Sequence, residues 1–350
     1  MTALADLLTA RITATGPITL ADYMAECLLH PVYGYYTTRD PLGVAGDFTT
    51  APEISQMFGE LIGLSLAQSW LDQGAPTAFT LAELGPGRGT LMSDVMRATR
   101  AVPGFHDAAT LHFIEASPSL RAKQAALVPD AVWHDDVGSL PDAPLFLIAN
   151  EFFDALPIRQ FTRDADGWRE HMVGLTDGAL ALGLSQPAPI EALEHRLDDT
   201  PISAVVEICP ALPAITGVIA DVIECHGGGA LIIDYGDWQS KGDTFQALAN
   251  HKMVDPFTAP GQADLTAHVD FAAIAKAAKT HSAMTPQGVF LERLGITARA
   301  QRLAQTLTGD ALTSHIAAHR RLTHPNEMGA LFKVIGLYPS TQNPPAGLEP

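Results

Sequence analysis

Cysteine and basic residues are scarce in this chain. Its three cysteines, Cys27, Cys209 and Cys225, lie far apart with no C-x-x-C pair, so the sequence predicts neither a disulfide framework nor a zinc site. Lysine and arginine number 21 against 39 aspartates and glutamates, for a formal net charge of −18. This balance argues against nucleic acid or an anionic membrane as the main partner. It tolerates a basic protein partner, although acidity alone more often reflects solubility.

Long hydrophobic runs and a basic leader are also missing. No apolar run approaches the roughly 18 residues of a membrane span, and no basic segment precedes Leu4, Leu7 and Leu8, whose spacing indicates an amphipathic helix. With 47% hydrophobic and 17% charged residues, the composition is that of a globular protein with a substantial core. We therefore expect a soluble protein without a signal peptide, located in a reducing, cytoplasmic compartment.

Short apolar segments alternate with helical ones from about residue 77. The strand-like segments are FTLAEL, TLHFIEA, AVWHDD and PLFLIANEFF, and helical segments separate the first three. This β-α-β-α order predicts an α/β fold with a mostly parallel, doubly wound sheet covered on both faces. Residues 1–76 are instead predicted to be helices and turns.

Several segments interrupt or resume this alternation. In residues 158–185, Asp166-Gly167 and Asp177-Gly178 indicate hairpin turns. The alternation resumes with a strand at VVEIC, a helix from about Ala211 to Cys225 and a strand at ALIIDYG. Residues 236–268 are predicted to be irregular. Helices are expected from Phe271 and from about Phe290 to Arg321, before a last strand in GALFKVIGL.

A glycine-rich loop, ELGPGRGT, follows the first of these strands. Gly85, Gly87 and Gly89 alternate directly after Glu83 and Leu84, so bare backbone lies at the carboxyl end of a strand, where open α/β sheets bind ligands. The third glycine comes one residue too early for the G-x-G-x-x-G dinucleotide pattern, and no Walker lysine follows. A purely structural turn remains an alternative. The spacing otherwise suits a nucleoside that carries a small carboxylate, such as S-adenosylmethionine.

Acidic residues end the next two strands as well. Glu115 follows TLHFI, where its carboxylate can accept both hydroxyls of a ribose. In HDDV, Asp135 or Asp136 can accept the adenine amino group, although a helix N-cap is an equally good interpretation for either one alone. Acids at three successive strand ends favour a binding site for a cofactor that bears a sulfonium cation.

The fourth strand leads into NEFFD, with Asn150, Glu151 and Asp154 at the expected substrate edge. Methyl transfer requires a nucleophilic lone pair aligned with the S–CH3 bond. The two carboxylates can bind a protonated guanidinium bidentately and orient its nitrogen. The alternative is that they cap a following helix, while Phe152 and Phe153 are expected in the core or the cofactor wall.

ELGPGRGTL and NEFFDALPIRQF together resemble the MidA family of class I S-adenosylmethionine-dependent methyltransferases. The resemblance covers nearly the whole chain. It includes YMAECLLHPVYGYY, GDFTTAPEISQMFGELIG, VVEICPAL, LIIDYGD, DLTAHVDF, QGVFLERLGI and MGALFKVIGL. Its mitochondrial members are complex I assembly factors, and the family activity is protein arginine dimethylation.

The resemblance implies a seven-stranded, Rossmann-like methyltransferase domain over residues 77–350, with insertions at about 158–204 and 236–325 and a helical N-terminal cap over 1–76. It implies that the three glycines, Glu115 and Asp135 or Asp136 bind S-adenosylmethionine, which leaves as S-adenosylhomocysteine, without a metal. Glu83, the first of the strand-end acids, is expected to bind the cofactor with them. A lid near cofactor and target is expected in the GDFTT block, formed by Gly46, Asp47, Phe48, Thr49 and Thr50; a helix start with proline in its first turn is the alternative.

Partner and location are less directly implied. The expected partner is a protein that bears a target arginine, such as a complex I subunit, and a homodimer is compatible with the apolar C-terminal helices. The mitochondrial members have a transit peptide that this chain lacks, so import is not expected. His268 is a candidate catalytic base or a capping residue, and Asp270 is expected to cap the helix at Phe271. A non-catalytic, cofactor-binding assembly chaperone is the main alternative function; a dinucleotide-dependent oxidoreductase is disfavoured by the glycine spacing.

Overall fold

The computed structural model describes residues 2–38 and 50–350. The expectations for Gly46, Asp47, Phe48 and Thr49 therefore lie outside the described residues. The helices are α1 (Ala3–Thr15), α2 (Leu20–Leu29), α3 (Tyr35–Thr38), α4 (Ala51–Ile54), α5 (Gln56–Asp72), α6 (Thr90–Thr99), α7 (Phe105–Ala108), α8 (Pro118–Leu127), α9 (Leu212–His226), α10 (Phe271–Ala277), α11 (Gln287–Arg293), α12 (Ile296–Ala304), α13 (Gly309–Thr323) and α14 (Met328–Leu331).

The strands are β1 (Ile18–Thr19), β2 (Phe79–Leu84), β3 (Ala109–Ile114), β4 (Val132–His134), β5 (Leu145–Asn150), β6 (Arg159–Asp164), β7 (Gly167–Thr176), β8 (Ala179–Leu184), β9 (Val205–Ile208), β10 (Gly228–Asp237), β11 (Gln246–Ala249), β12 (Lys252–Val254), β13 (Asp264–Thr266), β14 (Val269–Asp270), β15 (Thr285–Pro286) and β16 (Phe332–Leu337). Two 3₁₀ turns, Val137–Ser139 and Glu191–Arg196, complete the described elements.

The central sheet has the strand order β15-β16-β10-β5-β2-β3-β4. Its strands from β10 to β4 are parallel, and β16 runs antiparallel to β10. The short strand β14 pairs in parallel with the last two residues of β10. In this register Leu84 lies beside both Ile114 and Ala149. The chain moves in opposite directions from β2 and from β5, so a crevice forms at the carboxyl ends of these neighbours.

Two apolar cores cover the two faces of this sheet, as the alternating pattern predicts. Successive strand residues point to opposite faces. Leu81 packs in the core that includes α5 and α6, and Ala82 packs in the core that includes α9 and α10. Ile233 and Ile232 of β10 are divided between the same two cores. The predicted α/β fold is confirmed.

The insertions differ in part from the prediction. β6, β7 and β8 form the two expected hairpins, and β1 pairs with β7. The VVEIC strand does not resume the main alternation, because β9 pairs with β6 and lies outside the central sheet. Residues 236–268, predicted to be irregular, contain the antiparallel sheet β12-β11-β13. The helix predicted from Phe290 to Arg321 is three helices, interrupted where Gly295 and Gly309 adopt φ values of 89° and 56°.

The N-terminal helices pack on the insertions and on the main sheet's helices. Leu20 and Met24 of α2 share a core with Val173 of β7 and Leu265 of β13. Helix α5 lies along α6 so closely that a Cβ atom on Gly59 would lie 2.7 Å from the Cβ atom of Asp94. Helix α4 begins directly after Thr50 with proline in its first turn, as in the alternative interpretation of the end of the GDFTT block. These contacts bring α2 and α4 to the carboxyl edge of the central sheet.

Candidate cofactor and target site

The glycine loop connects β2 to α6. Gly85, Gly87 and Gly89 have φ values of 58°, 55° and 85°, a left-handed conformation that favours glycine. A Cβ atom on Gly85 would lie 3.0 Å from the ring of Phe152. The loop therefore packs directly against the segment that follows β5. A glycine is required at position 85 both for the backbone conformation and for this close approach.

Glu83 lies just before this loop and is 3% exposed. Burial, with a smaller contribution from the negative charge of Glu115, raises the pKa of its carboxyl to about 8. Its Oε2 atom has no hydrogen-bond partner among the described residues. Because a buried, unpaired carboxyl oxygen is costly, this atom suits a ligand that donates hydrogen bonds.

Glu115 follows β3 as predicted and is connected to the glycine loop. Its Oε1 accepts the backbone N–H of Ser117 at 2.7 Å, and its Oε2 accepts the side-chain amide of Gln124 at 3.0 Å. The same amide donates to the carbonyl of Gly87 at 2.7 Å. Burial raises the pKa of Glu115, and these hydrogen bonds oppose the shift. Gln124 was not singled out in the sequence, because nothing local distinguishes it from other polar residues of α8.

The acid pair after β4 is exposed. The carboxylate of Asp135 forms an ion pair with the guanidinium of Arg121, so it is already engaged. Asp136 is the N-cap of the following 3₁₀ turn, with no hydrogen bond from its side chain to that turn. Of the two candidates, Asp136 is the one whose carboxylate has no ion pair among the described residues.

Asn150, Glu151 and Asp154 lie at the corner that follows β5. Glu151 has a φ of 51°, an uncommon conformation for a residue other than glycine. Its Oε1 accepts the backbone N–H of Ala51 and the side-chain amide of Asn150, each at 3.1 Å. Burial, followed by the negative charge of Asp154, raises the pKa of Glu151 to about 7. The first residue of α4 is thus bonded to a predicted catalytic carboxylate.

Asp154 points into the same corner. It is 7% exposed, and its Oδ1 has no hydrogen-bond partner among the described residues. The same holds for Oδ1 of Asn150. Burial raises the pKa of Asp154, and the nearby Tyr235 hydroxyl opposes the shift. The helix-capping alternative for Glu151 and Asp154 is wrong, because residues 151–157 form turns and no helix.

Asp234 of β10 supports this corner and was missed in the sequence. Its side chain is fully buried. Its Oδ2 accepts the backbone N–H groups of Phe152, Phe153 and Asp154 at 3.2, 3.0 and 3.3 Å, and its Oδ1 accepts that of Tyr235 at 2.9 Å. The available signal was an acid near the end of the apolar segment LIIDYGD.

His268 lies against Tyr235, with the two rings nearly perpendicular and 5.3 Å apart. Burial, followed by the charge of Lys333, lowers the pKa of its imidazole, which favours the neutral ring. Asp270 caps α10 through the N–H of Ala273, as predicted. The ring of Tyr235 therefore connects His268 to Asp154.

The described residues contain no group of three or more histidine, cysteine, aspartate or glutamate side chains arranged to hold a metal ion. None of their helices is long and apolar enough to cross a membrane.

Comparisons with known proteins agree on the family. Residues 61–290 match the family described as "Putative S-adenosyl-L-methionine-dependent methyltransferase". Protein arginine methyltransferase NDUFAF7, mitochondrial, from Xenopus laevis is 36% identical over 97% of this chain and 85% of its own length; the human protein of that name is also 36% identical, over 94% and 82%. A Burkholderia thailandensis structure with bound S-adenosylhomocysteine has a TM-score of 0.84 and 29% identity, covering 99% of this chain and 94% of that one.

These relatives also correct one expectation. We expected a cytoplasmic location from the absence of a leader and the few cysteines, but the frog, fly and human relatives are named as mitochondrial proteins. The cytoplasmic prediction is therefore wrong. Composition reports the redox environment, which does not distinguish these compartments.

The glycine loop, the strand-end acids and the matched length of the relatives lead to one conclusion. This chain belongs to the MidA family of S-adenosylmethionine-dependent methyltransferases.

Proposed function

We propose that this methyltransferase modifies an arginine side chain of a partner protein. The observation that carries the proposal is the pair of carboxylates, Glu151 and Asp154, at the corner that follows β5 and lies beside the glycine loop. The unpaired Oδ1 of Asp154 is buried there and available to a cationic donor. The related frog and human proteins are named protein arginine methyltransferases, which agrees with a guanidinium as the target.

The residues around the loop fit the cofactor. S-adenosylmethionine, when bound, supplies an electrophilic methyl group on a sulfonium sulfur. Glycines 85, 87 and 89 present backbone without side chains in a left-handed conformation. The Glu115 carboxylate is proposed to accept the ribose hydroxyls, and the unpaired Oε2 of Glu83 is proposed to accept the cationic amino group. Asp136 is assigned to the adenine amino group in preference to Asp135. Thr50, which precedes α4, is proposed to lie near the cofactor and the target.

The corner is proposed to bind and deprotonate the target. A guanidinium presents its N–H groups in a plane, and paired carboxylates bind it in a fixed orientation. Glu151 and Asp154 would orient one nitrogen toward the methyl group, and Asn150 would accept a further N–H at its unpaired Oδ1. The forming N–CH3 bond requires the nitrogen to release a proton. Glu151, with a pKa of about 7, is suited to accept it near neutral pH. His268 is proposed to pack against Tyr235 and to position the target.

The strand order supports a finer architecture. The central sheet is proposed to be the seven-stranded Rossmann-like sheet of a class I methyltransferase. Its strand order is β4-β3-β2-β5-β10-β16-β15, and β16 is antiparallel to β10. Residues 77–350 would form that domain, with insertions at about 158–204 and 236–325, and residues 1–76 would cap its carboxyl edge. The hydrogen bond from Ala51 to Glu151 supports the capping role.

The partner is proposed to be a protein that exposes an arginine, with a respiratory complex I subunit as the first candidate to test. The net charge of −18 favours attraction of a basic segment over long range.

The deciding experiment combines the purified protein, labelled S-adenosylmethionine and an extract from cells that lack the gene. We expect label on one protein, recovered as methylarginine by mass spectrometry. Glu151→Gln should abolish labelling while S-adenosylhomocysteine still binds by calorimetry, and Glu194→Gln, at an exposed acid, serves as the matched control. Label on another residue type would refute the arginine assignment. Cofactor binding without labelling would favour the assembly chaperone.

A further inference from the structure

Two segments without a role in the mechanism above meet beside the carboxylate corner. The Tyr36 hydroxyl, in the N-terminal YGYY segment, donates a hydrogen bond of 2.8 Å to Oδ1 of Asp264, in β13. Asp264 is 5% exposed. A contact between residues 228 positions apart joins the N-terminal segment to the second insertion at this point.

The segment that follows Asp264 is hydrogen-bonded to the backbone of Asp154. The backbone N–H of Ala267, just after β13, donates to the carbonyl of Asp154 at 3.0 Å. Because side chains alternate along a strand, Asp264 and Thr266 project to one side of β13. The amide of Gln246 donates to the hydroxyls of both Thr266 and Tyr235, at 3.2 and 3.4 Å. This side of β13 therefore faces Tyr235, whose hydroxyl acts on Asp154.

Tyr36 remains a hydrogen-bond donor under all physiological conditions. Burial, followed by the negative charges of Asp264 and then Asp154, raises the pKa of its phenol. The Tyr36 hydroxyl donates to Asp264 and thereby holds that carboxylate in one orientation.

We propose that Asp264, held in position by Tyr36, is a specificity-determining residue that binds the cationic target side chain together with Glu151 and Asp154. The proposal rests on the proposed function, in which the target is an arginine. Asp264 is then the contact residue and Tyr36 the positioning residue.

The chemistry of the target requires such an additional acceptor. A guanidinium spreads its charge over three nitrogens with five N–H donors. If one nitrogen faces the methyl group and Glu151 and Asp154 bind beside it, the remaining edge still has donors that lose water on binding. A fixed carboxylate at Asp264 satisfies them, whereas a neutral isostere of the guanidinium gains much less from it. The N-terminal segment would thus contribute directly to target selection.

The test uses two probes that need no knowledge of the substrate protein. One is an adenosine with a 5′-amine that carries a propylguanidine arm, and the other carries a propylurea of the same shape and no charge. Calorimetry gives the affinity of each probe and of S-adenosylhomocysteine for the full chain. The variants are Asp264→Asn and Tyr36→Phe, with Tyr33→Phe as the control, since Tyr33 is 37% exposed in the same segment.

We expect the unaltered protein to prefer the guanidine probe over the urea probe. Asp264→Asn should reduce this preference about tenfold and Tyr36→Phe about threefold, as expected for one charge-assisted contact and its support. Affinity for S-adenosylhomocysteine and the behaviour of Tyr33→Phe should be unchanged. If the preference for the guanidine probe persists in both variants, the role of Asp264 is overturned and the proposed function is unaffected. No preference in the unaltered protein would refute guanidinium recognition itself, and with it both proposals.

Discussion

The buried carboxylate of Asp234 accepts the backbone N–H of Phe153 at 3.0 Å, across 81 positions of the chain. Two neighbouring N–H groups, of Phe152 and Asp154, donate to the same oxygen. Strand β10 therefore fixes the backbone immediately after Glu151, whose φ of 51° would otherwise be unfavourable. The two carboxylates proposed to bind the target, Glu151 and Asp154, therefore owe their relative placement to a third carboxylate, which has no contact with the target in the proposed mechanism.

Replacing Asp234 with asparagine should loosen this corner. An amide cannot present acceptor lone pairs on both sides, so some of the four N–H groups lose their partner. We expect the free energy of unfolding to fall by about 2–4 kcal/mol and methyl transfer to fall at least about tenfold, with cofactor affinity unchanged. Urea unfolding and kinetics measure these effects. Asp221→Asn, at an exposed pair with Lys279, should change little; wild-type kinetics in Asp234→Asn would contradict the positioning role.

A methyl group on Gly85 should impair cofactor binding. The left-handed φ of 58° and the ring of Phe152 at 3.0 Å both oppose a side chain there, at a cost of about 1–2 kcal/mol for the backbone alone. We expect Gly85→Ala to weaken S-adenosylhomocysteine binding about tenfold by calorimetry. Gly217→Ala in α9, where a Cβ atom would meet nothing within 4 Å, is the control. Equal affinity in the two variants would show that the loop does not contact the cofactor.

The two acids after β4 should respond differently to mutation. Asp135 is paired with Arg121 and Asp136 is not paired with any described residue. Asp136→Ala should weaken S-adenosylhomocysteine binding several-fold, by about the value of one charge-assisted hydrogen bond. Asp135→Ala should have little effect, because an exposed ion pair contributes little. The reverse order of effects would reassign the adenine contact to Asp135.

Methyl transfer should depend on pH through Glu151. If this carboxylate accepts the target proton, it must be ionised, and burial raises its pKa to about 7. The rate should therefore rise between about pH 6 and pH 8 and then level off. Single-turnover rates at saturating cofactor test this dependence, with equilibrium binding at each pH as the control. A flat profile over that range would remove Glu151 from proton transfer.

Glu83 should make the folded protein less stable as the pH rises. Its pKa of about 8 in the folded protein exceeds the ordinary value of 4.5. Between these two pH values the folded state binds more protons than the unfolded state, so stability falls with increasing pH. Glu83→Gln removes this dependence. The free energy of unfolding of the variant minus that of the unaltered protein should be larger at pH 8 than at pH 5, as measured by urea unfolding. An identical difference at both pH values would show that Glu83 does not titrate there.

Local patterns account for the parts of the fold that the sequence predicted. The strand and helix periodicities from residue 77, the two hairpins and the Asp270 cap each depend on residues within a few positions of one another, so they can be identified before any tertiary contact is known. The convergence of the acids and glycines at the strand ends was also predictable, because parallel strands bring their carboxyl ends to one edge of the sheet. The errors arose where a partner is distant: VVEIC is a strand, but only its pairing with β6 excludes it from the central sheet.

The sequence by itself determined the α/β class, the glycine loop and the acids at the strand ends. Tertiary structure alone decided that Asp234 fixes the backbone after Glu151, that Gln124 connects Glu115 to the glycine loop and that Tyr36 holds Asp264. These contacts join ordinary polar residues up to 228 positions apart, and such residues carry no local signal. A buried carboxyl group is informative only once the neighbouring donors and charges are known, because those neighbours determine its hydrogen bonds, its pKa and what it can bind.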